Sequence, residues 1–165
     1  MGISFAWRLR NIPEAKGKIE KDFQRLVKLV GLIDNDEISV TICGDKLIRS
    51  LNRKYRGKDE VTDVLSFPID ECTVSFQPNT EAGFKVERES RALVLGDIVV
   101  NYSQVKRQAK QNHNSVEDEL MAVITHSFLH LLGFSHSAPR ASKLMEQIEG
   151  KLFKYFRLEV KDFGH

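Results

Sequence analysis

"SVEDELMAVITHSFLHLLGFSH", Ser115 to His136, decides how the rest of the chain is read. Ser115 followed by Asp118 resembles a capping box, so a helix begins here. It runs to Leu132 and stops at Gly133. His126 and His130 stand four apart within it, which puts both on one helical face with their imidazoles able to aim at one point. A third ligand from the next turn would be crowded. Gly133 can take a left-handed conformation, end the helix and swing the chain back, so that His136 approaches the same point. The spacing H-x3-H-x2-G-x2-H therefore predicts a metal site at the end of a core helix. In the zinc-peptidase pattern H-E-x-x-H a glutamate follows the first histidine as general base. Here Ser127 occupies that position.

Neutral imidazoles suit zinc best among the common metals, with nickel, cobalt, copper and iron still open. Protein ligands from His126, His130 and His136 leave a further position for water, the pattern of catalytic rather than structural zinc sites. Cys43 or an acid could supply a fourth ligand and close the site. Without an anionic ligand the site is expected to keep the ion's full positive charge, which favours an anionic substrate.

Outward from this helix the pattern alternates between strands and helices. Ile3, Phe5, Trp7 and Leu9 alternate with polar or small residues, and Ile38, Val40 and Ile42 do so again, giving two strands. Between them Ile19, Phe23, Leu26, Val27 and Val30 mark a helix after Pro13, with Gly31 past its end. Asp45 is the expected N-cap of a helix carrying Leu47, Ile48, Leu51 and Tyr55. Val64 to Phe67, closed by Pro68, reads as a third strand, and Leu93 to Val100 as a strongly apolar fourth. Asn101 can cap the following helix, whose outer face holds Lys106, Arg107 and Lys110. Pro139 opens a last helix with Leu144, Met145, Ile148, Leu152 and Phe156 inward. Residues 70 to 90 show little periodicity and are expected to be a surface loop or loose hairpin. The expected fold is α/β (α+β): one domain over residues 1–165, a mixed sheet of about four strands with helices packed on it.

Composition narrows the class. Hydrophobic residues make up 41% and charged residues 29%, as in globular proteins, and no apolar run approaches a membrane span. The start MGISFAWRLR lacks the features of a secretory signal, so a cytoplasmic protein is expected. Cys43 and Cys72 fit neither a disulfide scaffold nor a cysteine-rich zinc module. A net charge of +2 is compatible with a polyanionic partner without demanding one.

Arg53, Lys54, Arg56 and Lys58 cluster just before the third strand. Cations at a helix end complement its dipole, which accounts for most of them. Arg56 or Lys58 could also clamp a phosphate held at the metal. Asp63 and Asp97 lie near strand ends, where capping and turn roles explain them as well as a catalytic role would.

"YRGKDEVTDVLSFP", "LGDIVV" and "HSFLHLLGFSH", in that order, resemble the YbeY-type bacterial rRNA maturation factors, a metal-dependent endoribonuclease family. The resemblance covers the chain from about Asp45 through the last helix. It implies a single α/β domain and a zinc ion held by His126, His130 and His136. It also implies cleavage of single-stranded RNA, with a role in maturing the 3′ end of small-subunit rRNA, in ribosome quality control, and with ribosomal subunits or ribosome-associated proteins as partners. The family's functional arginine matches Arg56. Its motif H-G-x-L-H-L-x-G-Y-D-H is altered here at Ser127, Phe134 and Ser135, and a serine at 135 cannot do the work of the family's aspartate.

The expected chemistry is hydrolysis of a phosphodiester, with charge neutralisation shared between the metal and Arg56. The nucleophile can be water or the RNA's own 2′-hydroxyl. Two rivals belong to other classes. A metzincin-like peptidase shares the histidine spacing, but Ser127 counts against it. A non-enzymatic ribosome assembly factor with a structural metal would use the basic side chains only to contact phosphates.

Overall fold

The computed structural model describes residues 2–88 and 90–163. The apolar run Leu93–Val100 forms β6 (Val94–Asn101), almost every residue of which is buried. A strand buried on both faces has to be interior to its sheet. The sheet order is β1–β2–β6–β3, with β1 at Ile3–Trp7, β2 at Glu37–Cys43 and β3 at Val64–Pro68. β1 and β6 both run parallel to β2, whereas β3 runs antiparallel to β6 and ends the sheet.

The period-two alternation divides the strand residues between two cores. Ile38, Val40, Ile42, Ile98 and Val100 join the main core. It is completed by α1 (Lys16–Leu29), α4 (Val116–Leu131) and α5 (Pro139–Tyr155). Cys43, Leu65 and Val99 point to the other face, where they pack with Ile48 of α2 (Asp45–Arg56). α3 (Tyr102–Gln111) follows β6 directly and packs on α4. These elements give the single α+β domain with a four-stranded mixed sheet that the alternation predicts.

Pairing steps from Glu37–Val94 to Ile38–Gly96, so Leu95 is the extra residue of a bulge. Gly96 has φ +136°, and a Cβ there would overlap the carbonyl oxygen of Phe67 across the β3–β6 ladder. No other residue type can hold that position without displacing β3.

One local expectation changes, and another resolves to one of its alternatives. Gly44, not Asp45, is the N-cap of α2, with no side-chain cap bond. Asp45 is instead the first helical residue and binds Arg107 and Asn101. Residues 70 to 90, apart from residue 89, which lies outside the described residues, take the hairpin alternative rather than the surface loop. They contain the hairpin β4 (Val74–Phe76) and β5 (Phe84–Val86), whose Phe84 and Val86 are buried in the main core. Each strand is only three residues long, too short for a period to show above the surrounding charge. Lys151 of α5 donates to the carbonyls of Pro78 and Thr80, tying the hairpin tip to the last helix. None of the helices among the described residues is long and apolar enough to cross a membrane.

Candidate metal centre

From Glu119 to Leu129 every residue of α4 is buried, so the helix that carries the histidines is fixed by packing after its first turn. Ser115 caps its start by accepting from the Asp118 N–H at 3.1 Å, and Glu117, Asp118 and Glu119 complement the dipole there. Its other end closes as the glycine predicts. Gly133 at φ +100° donates to the His130 carbonyl at 3.0 Å, and Phe134 donates to the Leu129 carbonyl at 3.0 Å. This double closure is a Schellman motif, and it turns the chain back toward the helix axis.

His126 is buried, His130 is half-buried in the last turn, and His136 is exposed in the connection to α5. One ligand atom from each lies within 4.8 Å of the others. The Nε2 atoms of His126 and His130 are 3.1 Å apart. Among the described residues this is the one group of histidine, cysteine or acidic side chains, three or more together, that could hold a metal ion.

Each Nδ1 is turned away from the cluster and engaged. His130 Nδ1 lies 2.9 Å from the Phe134 carbonyl oxygen, and His136 Nδ1 lies 2.8 Å from Ser142 Oγ. His126 Nδ1 meets the Glu149 carboxylate in a very short contact, and both groups are buried. A carbonyl and an ionised carboxylate can only accept. With a proton on each Nδ1, the Nε2 atoms of His130 and His126 would face one another with free lone pairs. Burial, and then the adjacent His126 ring, hold the His130 imidazole below the ordinary histidine value against the raising effect of the Phe134 carbonyl, which favours the neutral, ligating form. This donor set fits a divalent cation taking nitrogen ligands.

Sequence reasoning missed Glu149, Ser142 and the Phe134 carbonyl. The signal for Glu149 was present: it follows Ile148 and precedes Leu152 on the inward side of α5, an acid within an apolar stripe. Its carboxylate also revises the expected charge, because an anion touches the outer side of a ligand and offsets part of the ion's charge. Ser135 bonds Ser137 at 2.9 Å rather than a histidine. Phe163 brings its ring 5.9 Å from that of His126, on a tail anchored by paired bonds between Asn114 and Lys161.

The other site residues read from the sequence lie elsewhere. Ser127 is fully buried and bonds Ser66 of β3 at 2.7 Å, so the position of a peptidase's glutamate is turned into the sheet. Cys43 sits in the second core beneath α2, where burial pushes its thiol up to about 11. Asp97 accepts from Ser39, and Asp63 Oδ2 is 3.5 Å from Gln108 Nε2. Arg56, the last residue of α2, and Lys58, just past left-handed Gly57, are exposed. Arg49 and Arg53 pair with Asp59, but Arg56 and Lys58 form no ion pair among the described residues. Among the described residues no hydrogen bond or ion pair joins either to the histidines, and α2 packs on the sheet face opposite α4.

The model of the family described as Endoribonuclease YbeY matches residues 7–157. A protein of Lysinibacillus sphaericus named Endoribonuclease YbeY is 35% identical over 140 residues, covering 85% of each chain. One of the same name from Aquifex aeolicus is 38% identical over 129 residues, covering 78% of this chain and 75% of its own. A solution structure of a Thermotoga maritima protein shares the fold, with a TM-score of 0.57 at 24% identity over 100% of this chain and 99% of that one. The match across the sheet, the histidine helix and α5 shows that this chain belongs to the YbeY endoribonuclease family.

Proposed function

We propose that residues 1–165 form one metal-dependent hydrolase domain, a single-strand-specific endoribonuclease that holds one divalent ion, zinc by preference, on His126, His130 and His136. The observation that carries this reading is the convergence of one ring nitrogen from each histidine, with each ring held by a bond at Nδ1. A bound ion would supply positive charge to the phosphoryl oxygens and acidify water. Family membership adds RNA as the substrate class.

The chain's own residues divide the remaining tasks. Arg56 is the catalytic cation, its guanidinium suited to bidentate contact with a phosphate. Lys58 assists in binding. β3 contacts both α2 and α4, so it lies between these cations and the histidines. An RNA strand crossing the outer edge of β3 would meet both sets, with the scissile phosphate at the metal. The cellular setting that accords with this reading is the cytoplasm, in maturation of the 3′ end of small-subunit rRNA and in ribosome quality control, beside ribosomal subunits or their associated proteins.

The test is cleavage of labelled single-stranded RNA by metal-reconstituted protein freed of contaminating nuclease. His130→Ala is expected to lose both metal and cleavage. Arg56→Ala is expected to keep metal and fold while losing cleavage by about 100-fold, the scale of one lost transition-state contact. Equal cleavage by wild type and Arg56→Ala at matched metal content removes Arg56 from the mechanism. RNA binding without turnover by the loaded wild type replaces the enzyme with an assembly factor.

A further inference from the structure

The rings at the centre are held by chemically unlike partners. His130 has a main-chain carbonyl, His136 the Ser142 hydroxyl and His126 the Glu149 carboxylate. The carbonyl comes with the helix-ending turn and the hydroxyl is exposed to water. Glu149 differs from both: it is a charged group, 7% exposed, on a separate helix, aimed at the most buried of the ligand rings. Taking a carboxylate out of water costs several kcal/mol unless good hydrogen bonds compensate. Among the described residues its hydrogen-bond partner is one ring nitrogen of a ligand.

Which nitrogen is engaged matters. An imidazole can bind a cation through either nitrogen, and the tautomer decides which lone pair is free. Glu149 occupies Nδ1, so His126 must offer Nε2 to the cluster. The carboxylate also polarises the ring toward its metal-facing nitrogen, making it a stronger donor. Simple helix-to-helix packing would leave the tautomer of His126 unconstrained.

We infer that Glu149 is a positioning residue of the metal centre: through its bond to His126 Nδ1 it fixes the tautomer and angle of that ligand. Ser142, whose hydroxyl can either donate or accept, restrains the angle of the His136 ring without choosing its tautomer. The inference rests on the reading of the histidines as metal ligands.

The experiment measures histidine tautomers by 15N NMR in the metal-free full chain, and metal affinity at fixed pH by competition between zinc and a chromophoric chelator. Wild type is expected to show His126 protonated at Nδ1 and to bind one equivalent. Glu149→Ala is expected to lose the fixed tautomer and to bind zinc about 10- to 100-fold more weakly. Glu149→Gln keeps an acceptor without the charge and is expected to retain the tautomer and recover part of the affinity. Ser142→Ala, at a position open to solvent, is expected to weaken binding by a smaller factor.

Equal affinity in wild type and Glu149→Ala overturns the inference and leaves the ligand assignment standing. If Glu149→Ala does not fold, Glu149→Gln decides. Wild-type affinity with the opposite His126 tautomer overturns the inference, and the Nδ1–H tautomer with reduced affinity upholds it. Zinc binding no tighter in wild type than in His126→Ala overturns the ligand assignment itself, and the inference with it.

Discussion

Asp36 shows how one buried side chain can hold three segments together. It is 3% exposed, accepts the N–H groups of Ile33 and Leu93 at 2.9 Å each, and binds the Arg88 guanidinium through both oxygens. Burial by itself pushes its carboxyl up, but Arg88 and the backbone donors outweigh that, and the net value lies below the ordinary one. A carboxyl depressed in the folded state contributes fully above its unfolded value of about 3.9, and the contribution is lost as pH falls through the folded value. Urea unfolding is therefore expected to show stability falling below about pH 4, with a shallower fall in Asp36→Asn. At neutral pH the substitution should cost about 2 kcal/mol, a figure held down because solvent reaches part of Arg88. Residue-scale chemistry was unevenly legible in the sequence. His126, His130, Gly133 and His136 announce themselves because helical spacing and a left-handed turn are local rules. Asp36 does not, because Arg88 and Leu93 lie far along the chain, and Glu149 shows only as an acid in an apolar stripe whose partner is on another helix.

At the scale of elements, Asn101 ends β6 and begins α3. Its side-chain oxygen accepts from Ser103 N at 3.1 Å and Gln104 N at 3.3 Å. Its amide nitrogen donates to Asp45 Oδ1 at 2.7 Å and to the Thr62 carbonyl at 3.1 Å. One fully buried side chain thus caps α3 and ties it to the start of α2 and the approach to β3. Asn101→Ala is expected to cost about 2–3 kcal/mol, more than a cap alone. Asn101→Asp keeps the capping oxygen but sets a second carboxylate against Asp45, so it should be at least as unstable; chemical denaturation compares the two. The capping role was readable from the order strand, asparagine, helix, but the ties to α2 and β3 were not. Hydrophobic period assigns α2 an inward side without saying which face of the sheet receives it. For the same reason the sequence could not show that Arg56 and the histidines lie on opposite faces.

For the whole molecule, the candidate ligands and their supports span α4, the connection after it and α5. An ion bound there would tie the connection after α4, and α5 through Glu149 and Ser142, to the core helix. An ion that binds only the folded protein stabilises it by about 2.7 kcal/mol when free metal exceeds Kd a hundredfold. In a chain of this size that corresponds to a Tm shift of about 5–10 °C. Chelation is expected to lower the wild-type Tm by that much and to leave His126→Ala unmoved, as calorimetry would read. The mixed sheet was legible because its strands alternate or are β-branched, whereas the second core beneath α2 emerges only from the strand order.

The parallel pairing of β1, β2 and β6 also bears on the order in which the chain folds. Parallel neighbours need crossover segments, and such distant pairings repay the entropy of loop closure late. β1 and β2 are separated by α1, but β2 must wait for α2, β3 and the hairpin before β6 reaches it. α4 follows, and α5 with Glu149 comes last. During synthesis the histidine helix thus leaves the ribosome before the carboxylate that braces it, and the centre is finished only near the end of translation.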